Sequence, residues 1–159
     1  MSSNNKLIKN TIIFLFIILF VSIFFFPYSK SKAADTTVEM LNKLDGEIMI
    51  FSKKIVRIDV GGTIYWKATD RGHNVEFIKK AIPEGVENFK SKLNVDVEYK
   101  FTIPGIYAYW CTPHKSMGMI GFVVVGNDKS NFDLITKAKF YGKSKKIAGQ
   151  LISDISSEG

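Results

Sequence analysis

The sequence is poor in residues that cross-link a chain or bind several metals: its 159 residues include one cysteine, Cys111, and two histidines, His73 and His114. A single cysteine excludes an internal disulfide, so its thiol is free, paired with another molecule or bound to a metal. The sequence also contains no internal repeat, no low-complexity segment and no glycine-rich loop of the kind that cradles phosphate. These absences exclude repeat architectures, disulfide-rich scaffolds and nucleotide sites built on such loops.

A long apolar run occurs only near the N-terminus. Residues 12–26 are apolar with one exception, two lysines precede them, and the small residue Ala33 follows. A basic start, a short apolar stretch and a small residue before a cleavage site are typical of a secretory signal peptide. We predict a signal peptide over residues 1–33, with cleavage after Ala34 or retention as an uncleaved anchor as the alternatives. The run is shorter than the ~20 residues that a membrane-spanning helix needs, which favours cleavage.

The remaining residues, 34–159, are enough for one compact domain and too few for two. Four lysines lie before this part, so the 22 basic side chains of the whole sequence fall to 18 against 15 acidic ones. This mild excess, without a basic stripe of interleaved aromatics, does not favour a nucleic-acid partner. We expect one exported domain that is a monomer and that, after cleavage of the signal peptide, binds no membrane.

Residues 36–126 consist of short runs rich in β-branched and aromatic residues, separated by turn signals. Seven or eight such strands at this spacing indicate an all-β sandwich. Side chains of the strand over residues 106–111 are expected to alternate between two faces. The inward residues are Tyr107, Tyr109 and Cys111, and the outward residues are Ala108 and Trp110.

The pattern then changes to two helices within residues 130–156. The first is predicted to begin at Ser130 or Asn131 and to end at Tyr141, where a glycine follows. The second is predicted to begin at Ser144 and to pack through one apolar face. That face consists of Ile147, Ala148, Leu151, Ile152 and Ile155.

The stretch WCTPHKSMGMIG at residues 110–121 contains the single cysteine, His114 and two of the five methionines, Met117 and Met119. A turn at TDRG delivers the other histidine, His73. A copper ion that cycles one electron needs a thiolate, two imidazoles and a weak axial sulfur that discourages square-planar geometry. Because the sequence would use every cysteine and histidine in one such site, we predict a copper centre rather than independent structural roles.

Two methionines compete for the axial position. Met119 lies eight residues after Cys111, at the base of the last strand, whereas Met117 lies at the tip of the loop. We therefore predict Met119 as the axial ligand. Asn74 and Pro113 adjoin ligands and are predicted to set the geometry of the ligand loops.

The segments DRGHNVEFIKKAIPEGVENFKSK and YWCTPHKSMGMIGFVVVG resemble the pseudoazurins, small blue-copper cupredoxins of the bacterial periplasm. The resemblance extends over nearly the whole sequence after residue 38. It implies a cupredoxin Greek-key β-sandwich with two C-terminal α-helices, a periplasmic location and one type 1 copper ion that cycles between Cu(I) and Cu(II). The implied ligands are His73, Cys111, His114 and Met119.

The resemblance also implies a diffusible electron carrier of denitrification, which donates electrons to a copper nitrite reductase or a nitrous oxide reductase, with a c-type cytochrome as another partner. In that family, lysines ring an apolar patch around the solvent-facing histidine, here His114, through which the electron leaves. The matching residues are Lys43, Lys79, Lys90 and Lys92, with Arg71 where lysine is usual and with Met49 and Met117 on the apolar rim. Trp110 occupies a position where many members carry lysine, and Lys115 is expected to compensate for the missing positive charge.

Copper enzymes and copper storage proteins or chaperones are the competing classes. An oxidase or nitrite reductase needs a second copper centre, and the sequence has no histidine left for one. A storage protein or chaperone needs exposed, exchangeable clusters of methionine or cysteine, whereas this donor set is mixed and closed. Electron transfer is therefore the leading hypothesis, with periplasmic copper storage or delivery as the alternative.

Overall fold

The computed structural model describes residues 35–157, which form eight strands and two helices. The strands are β1 (Thr36–Leu44), β2 (Glu47–Phe51), β3 (Ile55–Ile58), β4 (Thr63–Lys67), β5 (Glu76–Phe77), β6 (Val97–Lys100), β7 (Gly105–Trp110) and β8 (Ile120–Val125). The helices are α1 (Phe132–Thr136) and α2 (Ser144–Ser157). Between residues 35 and 157, no helix has the length and apolarity to cross a lipid bilayer. The predicted signal peptide, residues 1–33, lies outside the described residues.

The strands form two mixed sheets of four strands each. One sheet has the order β2-β1-β4-β6 and the other has the order β3-β8-β7-β5. The pairs β1/β4 and β3/β8 are parallel, and the other neighbours are antiparallel. The chain changes sheet at every step from β2 to β7, which joins the two sheets into a sandwich. This confirms the predicted cupredoxin sandwich with two C-terminal helices.

Strand β7 is covered on both faces. Tyr107, Tyr109 and the following Cys111 lie in the core between the sheets, as the alternation predicted. Ala108 lies on the other face, in a second core that includes residues of α2. Trp110 shares this outward face but is partly buried, because it packs against the second core. The outward face of β7 is thus covered by the C-terminal segment instead of by water.

Close packing fixes the end of β7 against β8. The ring of Tyr109 contacts Phe51 and Trp66 edge-on, at centroid distances of 4.9 and 5.4 Å. Gly121 of β8 is the residue opposite Tyr109 in the ladder. A Cβ atom at Gly121 would lie 2.4 Å from Cζ of Tyr109, so only glycine leaves room for the ring. This packing fixes the point where both strands enter the loop between them.

Helix α1 is shorter than predicted. It ends at Thr136 instead of Tyr141. The chain then turns and buries Phe140 against Phe122, with the ring centroids 6.0 Å apart. Burial of a large aromatic side chain contributes about 1.5–3 kcal/mol, more than the propensity differences that would extend the helix by one turn.

Asn131 occupies the N-cap position of α1, as predicted, but its buried side chain bonds to the sheet instead of to the helix. Its Oδ1 accepts from the backbone N–H of Ile106 and its Nδ2 donates to the carbonyl oxygen of Ile106, both at 2.8 Å. The predicted apolar face of α2 is confirmed. Ala148, Leu151 and Ile155 are buried, and Ile147 and Ile152 are partly buried in the same core.

Candidate metal centre

The four predicted ligands come from loops at one end of the sandwich. His73 lies in the connection between β4 and β5, Cys111 directly follows β7, and Met119 directly precedes β8. The backbone N–H of Cys111 donates to the carbonyl oxygen of Met119 at 3.0 Å, which extends the β7/β8 ladder by one step. Between these two residues, the N–H of His114 donates to the carbonyl of Cys111 at 3.1 Å, and that of Met117 donates to the carbonyl of His114 at 2.9 Å. The loop therefore consists of two consecutive tight turns.

Three ligand atoms converge on one point. The Nδ1 atoms of His73 and His114 are 3.2 Å apart. The Sγ atom of Cys111 lies 3.7 Å from Nδ1 of His73 and 3.4 Å from Nδ1 of His114. Donor atoms that share a metal at about 2.0–2.3 Å, with angles of about 100–120° between the bonds, lie about 3.1–4.0 Å apart. The geometry fits one ion between two imidazoles and a thiolate.

Burial distinguishes the two candidate axial methionines. Met119 is fully buried and packs in the core between the sheets that also contains Cys111. Met117 is 36% exposed. Because Met119 shares this buried core with Cys111, its thioether would complete a set of two imidazoles, one thiolate and one thioether.

Asn42 orients the buried imidazole of His73. Its Oδ1 lies 3.0 Å from Nε2 of His73, so Nε2 carries the proton and Nδ1 is left for the metal. The backbone N–H of Asn42 donates to Oδ2 of Asp70 at 2.6 Å. We did not predict this residue, because it lies 31 positions from His73 and no local pattern marks an asparagine as the partner of a distant imidazole.

Asn74 joins the two ligand-bearing loops. Its Oδ1 accepts from the backbone N–H of Thr112 at 2.8 Å, and its Nδ2 donates to Oγ1 of Thr112 at 3.0 Å. Nδ2 also lies 3.3 Å from the carbonyl oxygen of Ser91. The side chain is buried. Asn74, the residue after His73, is therefore hydrogen-bonded to Thr112, the residue after Cys111. Pro113, the other residue predicted to shape the loops, lies exposed between Thr112 and His114.

Glu76 is a further residue beside the site that the sequence did not reveal. Its Oε2 accepts from Oγ1 of Thr112 at 2.6 Å and from Nε1 of Trp110 at 3.0 Å. Nζ of Lys90 lies 3.4 Å from its Oε1. Burial raises the pKa of Glu76, but the bonds from Thr112 and Trp110 and the charge of Lys90 together lower it below its usual value. The carboxylate therefore stays ionised and accepts hydrogen bonds from the residues on both sides of Cys111, Trp110 and Thr112.

The protein environment favours the protonation states that bind a metal. Burial lowers the pKa of His73, the nearby His114 lowers it further, and Asp70 opposes them. Burial also lowers the pKa of His114. Both imidazoles are therefore neutral at physiological pH, as ligands must be. Burial raises the pKa of the Cys111 thiol, whereas the backbone N–H groups of Asn74 and His114 lower it by bonding to the sulfur. Coordination of a copper ion by Cys111 would displace the remaining thiol proton.

The residues predicted to surround His114 differ in their exposure. Five basic residues are exposed: Lys43, Arg71, Lys79, Lys90 and Lys92. Met49 is partly buried against the core between the sheets. Lys115 is partly buried, and its Nζ lies 5.3 Å from the ring centroid of Trp110 and 5.4 Å from that of Tyr141. Lys115 therefore makes cation–π contacts within the protein.

The chain is similar in sequence and structure to known copper proteins. Residues 38–126 match the family of copper binding proteins described as the plastocyanin/azurin family. A pseudoazurin from Paracoccus pantotrophus is 45% identical over 114 residues, which cover 72% of this chain and 79% of that protein. The solved structure of a Sinorhizobium pseudoazurin matches with a TM-score of 0.74 at 40% identity and covers 79% of this chain and 98% of that one. A Hyphomicrobium denitrificans pseudoazurin matches with a TM-score of 0.72 at 35% identity, with coverages of 76% and 98%.

The sandwich and its converging ligands define a type 1 copper protein of the plastocyanin/azurin family. One copper ion is held by His73, Cys111, His114 and Met119. Within that family the chain belongs to the pseudoazurins. It is an electron carrier and not an enzyme. The predicted fold class, family and cofactor are thereby confirmed.

Proposed function

We propose that this pseudoazurin works in the periplasm, donates electrons to a copper nitrite reductase or a nitrous oxide reductase, and passes each electron through His114. The observation that carries the exit route is the difference in burial among the ligands. His73, Cys111 and Met119 are fully buried, whereas His114 is partly exposed. Copper bound by these residues would take up and release one electron. Among the four ligands, all within the described residues, His114 is the one that is not fully buried.

The basic residues near the His73 loop support an acidic redox partner. Lys43 follows Asn42, whose amide contacts His73, and Arg71 lies two residues before His73. Lys92 follows Ser91, whose carbonyl accepts from Asn74. These exposed cations are thus close in sequence to His73 or to residues that contact His73 or Asn74. Such a patch raises the encounter rate with an acidic protein surface and loses its effect as salt is added.

The hydrogen bonds around the ligands support fast electron transfer. We propose that Asn74 and Pro113 keep the ligand loops in one geometry, so that little must move when the charge of the site changes. Asn74 makes its two bonds to Thr112 from a buried position, and the ring of Pro113 restricts the turn between Cys111 and His114. Bonds of this kind around a metal site typically affect its affinity by about 10–100-fold.

The partner assignment can be tested by mixing the reduced copper protein with each purified reductase in a stopped-flow instrument. The blue absorbance of the oxidised site should return with a second-order rate that rises with reductase concentration and falls with ionic strength. A c-type cytochrome serves as the third partner to compare. If neither reductase oxidises the protein faster than buffer does, the proposed acceptors are wrong.

The copper storage alternative predicts a different result in a chelation experiment. A carrier with three buried ligands should keep its copper through repeated reduction and oxidation in the presence of a modest Cu(I) chelator. A storage or delivery protein should release the metal within a few cycles. Loss of copper on the timescale of the redox cycle would therefore favour the alternative.

Export is tested by the mass of the mature protein. Expression of the full sequence in a Gram-negative host should yield a periplasmic species that begins at Ala34, or at Asp35 if cleavage follows Ala34. Size-exclusion chromatography with light scattering should then give the mass of a monomer. A full-length product in the membrane fraction would contradict cleavage and support the anchor.

A further inference from the structure

The start of helix α2 is hydrogen-bonded to the ligand loop between His114 and Met119. The hydroxyl of Ser144 donates to the carbonyl oxygen of Lys115 at 2.6 Å. The backbone N–H of Lys143 donates to the carbonyl oxygen of Ser116 at 2.9 Å. Two successive residues at the start of the helix thus bind the two residues that follow His114.

Two glycines allow this close approach. Gly142 has a φ of +50°, and a Cβ atom there would lie 2.5 Å from the carbonyl oxygen of Ser116. Gly118, in the ligand loop, has a φ of +110°, and a Cβ atom there would lie 2.7 Å from Cδ1 of Ile147 in α2. Both positions have a left-handed backbone that favours glycine, and at Gly142 the neighbouring atom is a backbone oxygen that leaves no room for a side chain. Loop and helix are therefore in contact on both sides of Met117.

Ser144 is a fully buried polar residue whose hydroxyl bonds to the loop. A buried hydroxyl is unfavourable unless it is hydrogen-bonded, and the carbonyl of Lys115 is the acceptor that satisfies it. The side chain of Lys115 is held as well, since its ammonium lies over the rings of Trp110 and Tyr141. Tyr141 directly precedes Gly142, so the same short segment contacts both the backbone and the side chain of Lys115.

The two histidine ligands differ in what orients their rings. His73 is bonded through Nε2 to Asn42. Within residues 35–157, the ring of His114 forms hydrogen bonds only with atoms of the other ligands, His73 and Cys111. The position of the His114 ring must therefore be set by the backbone of its own loop.

We infer that the start of α2, residues 142–144, is a positioning element of the copper site: the Ser144 hydroxyl and the Lys143 amide hold the loop that places His114 and Met119. Removal of either contact lets the loop shift away from the helix. The distances from the two loop ligands to the other ligands then spread over a wider range. The consequence is a change in the copper site, in addition to any change in overall stability.

Ser144→Ala tests the side-chain contact, and Ser156→Ala is its matched control. Ser156 lies in the same helix, is exposed, and donates to the carbonyl of Ser153 in that helix at 2.8 Å. In the copper-free protein, Ser144→Ala should accelerate hydrogen exchange of the Lys143 and Met117 amides about tenfold, the loss expected for one buried hydrogen bond. In the copper-loaded protein it should change the visible and EPR spectra and shift the reduction potential. Ser156→Ala should change neither the exchange rates nor the spectra.

Gly142→Ala tests the same element by a different substitution, with Gly149→Ala as its control. The new methyl group at Gly142 would press on the carbonyl of Ser116, whereas Gly149, in the same helix, has no atom within 4 Å of an added Cβ. Gly142→Ala should produce spectral changes in the same direction as Ser144→Ala. If both variants accelerate amide exchange but leave the spectra and the potential unchanged, the start of α2 only stabilises the fold and the inference is wrong.

The unmodified protein provides a further test that does not depend on the variants folding. Its copper-free form should show slow hydrogen exchange at Lys143 and Met117, as slow as in the centre of α2, because the loop and helix protect each other. Exchange at these amides as fast as at exposed turns would show that the contact does not hold the loop without metal, and would overturn the inference.

Discussion

The two histidine ligands reach the same copper ion with different support. His73 is fully buried and bonded to Asn42, so its ring is held by a side chain from strand β1. His114 is partly exposed and depends on its loop. The site thus combines a rigidly held buried ligand, His73, with a partly exposed ligand, His114. This combination suits a site that must keep its geometry while a partner binds beside the exposed ligand.

Removal of the Asn42 side chain tests the support of His73. Asn42→Ala deletes the acceptor for Nε2–H, so the imidazole can rotate and its Nδ1 is less well placed. We expect copper affinity to fall about tenfold, at the lower end of the range for such residues, because Asn42 is exposed and water can replace its oxygen. Competition with a chelator of known affinity measures the change. Asn88→Ala, at an exposed loop position, is the control, and equal affinities for the two variants would contradict this role.

The two methionines of the ligand loop give a second test at the scale of single residues. Met119→Leu keeps the volume in the core but removes the sulfur, and loss of an electron-donating axial ligand destabilises Cu(II) relative to Cu(I). We expect the reduction potential to rise by at least about 59 mV, a tenfold change in a one-electron equilibrium. Met117→Leu should leave the potential and the visible spectrum unchanged, since Met117 is 36% exposed at the loop tip. Protein-film voltammetry measures both, and the opposite ranking would make Met117 the axial ligand.

At the scale of secondary-structure elements, the site depends on how β7 and β8 end. Both strands enter the ligand loop one residue from a metal ligand, and their ladder continues through the bond between Cys111 and Met119. Packing of Tyr109 against Gly121 lies two residues before Cys111 and two residues after Met119. Any disturbance of this pair should therefore affect both fold stability and the site.

Two glycine substitutions with opposite expected effects test this packing. Gly121→Ala would place a methyl group 2.4 Å from Cζ of Tyr109, whose ring is fixed between Phe51 and Trp66. Overpacking of this kind costs about 1–3 kcal/mol. Gly149→Ala adds a methyl group in open space on α2 and should stabilise by about 0.5–1 kcal/mol through helix propensity. Urea unfolding of the copper-free proteins measures both, and a neutral Gly121→Ala would show that the strands can separate to admit a side chain.

Alternation and turn signals were sufficient to predict a sandwich of seven or eight strands, of which eight are present, and the inward direction of Tyr107, Tyr109 and Cys111. The ligands were predictable because scarce donor types were concentrated in one motif and one distant turn. The early end of α1 could not be predicted, because it follows from burial of Phe140 against Phe122, a contact between distant segments. Asn42 and Glu76 were missed for the same reason: a polar side chain becomes significant only when the fold brings it to its partner.

At the scale of the whole molecule, the net charge says little about which basic side chains are available to a partner. The full sequence carries a formal charge of +7, but the part after residue 33 has only a slight basic excess. Some of its cations are also engaged within the protein: Lys90 pairs with Glu76, and Lys115 lies over Trp110 and Tyr141. The proposed steering of an acidic partner would therefore depend on local cations, such as Lys43, Arg71 and Lys92, more than on net charge.

Charge reversal separates local steering from net charge. Lys43→Glu with Lys92→Glu should slow electron transfer to an acidic reductase about tenfold at low salt, and each single reversal should slow it less. Lys100→Glu is the control for the single reversals, because it changes the net charge equally. Lys100 is exposed and pairs with Thr63 at the start of β4, whereas the His73 loop follows the other end of that strand.

Stopped-flow rates across a salt series give the decisive comparison. The difference between the double reversal and the unmodified protein should shrink towards zero near about 1 M salt, where the screening length is about 3 Å. The reduction potential and the visible spectrum should be unchanged, since none of these lysines contacts a ligand. If Lys100→Glu slows the reaction as much as Lys92→Glu, the partner responds to the overall charge of the molecule, and the ligand end is not its docking surface.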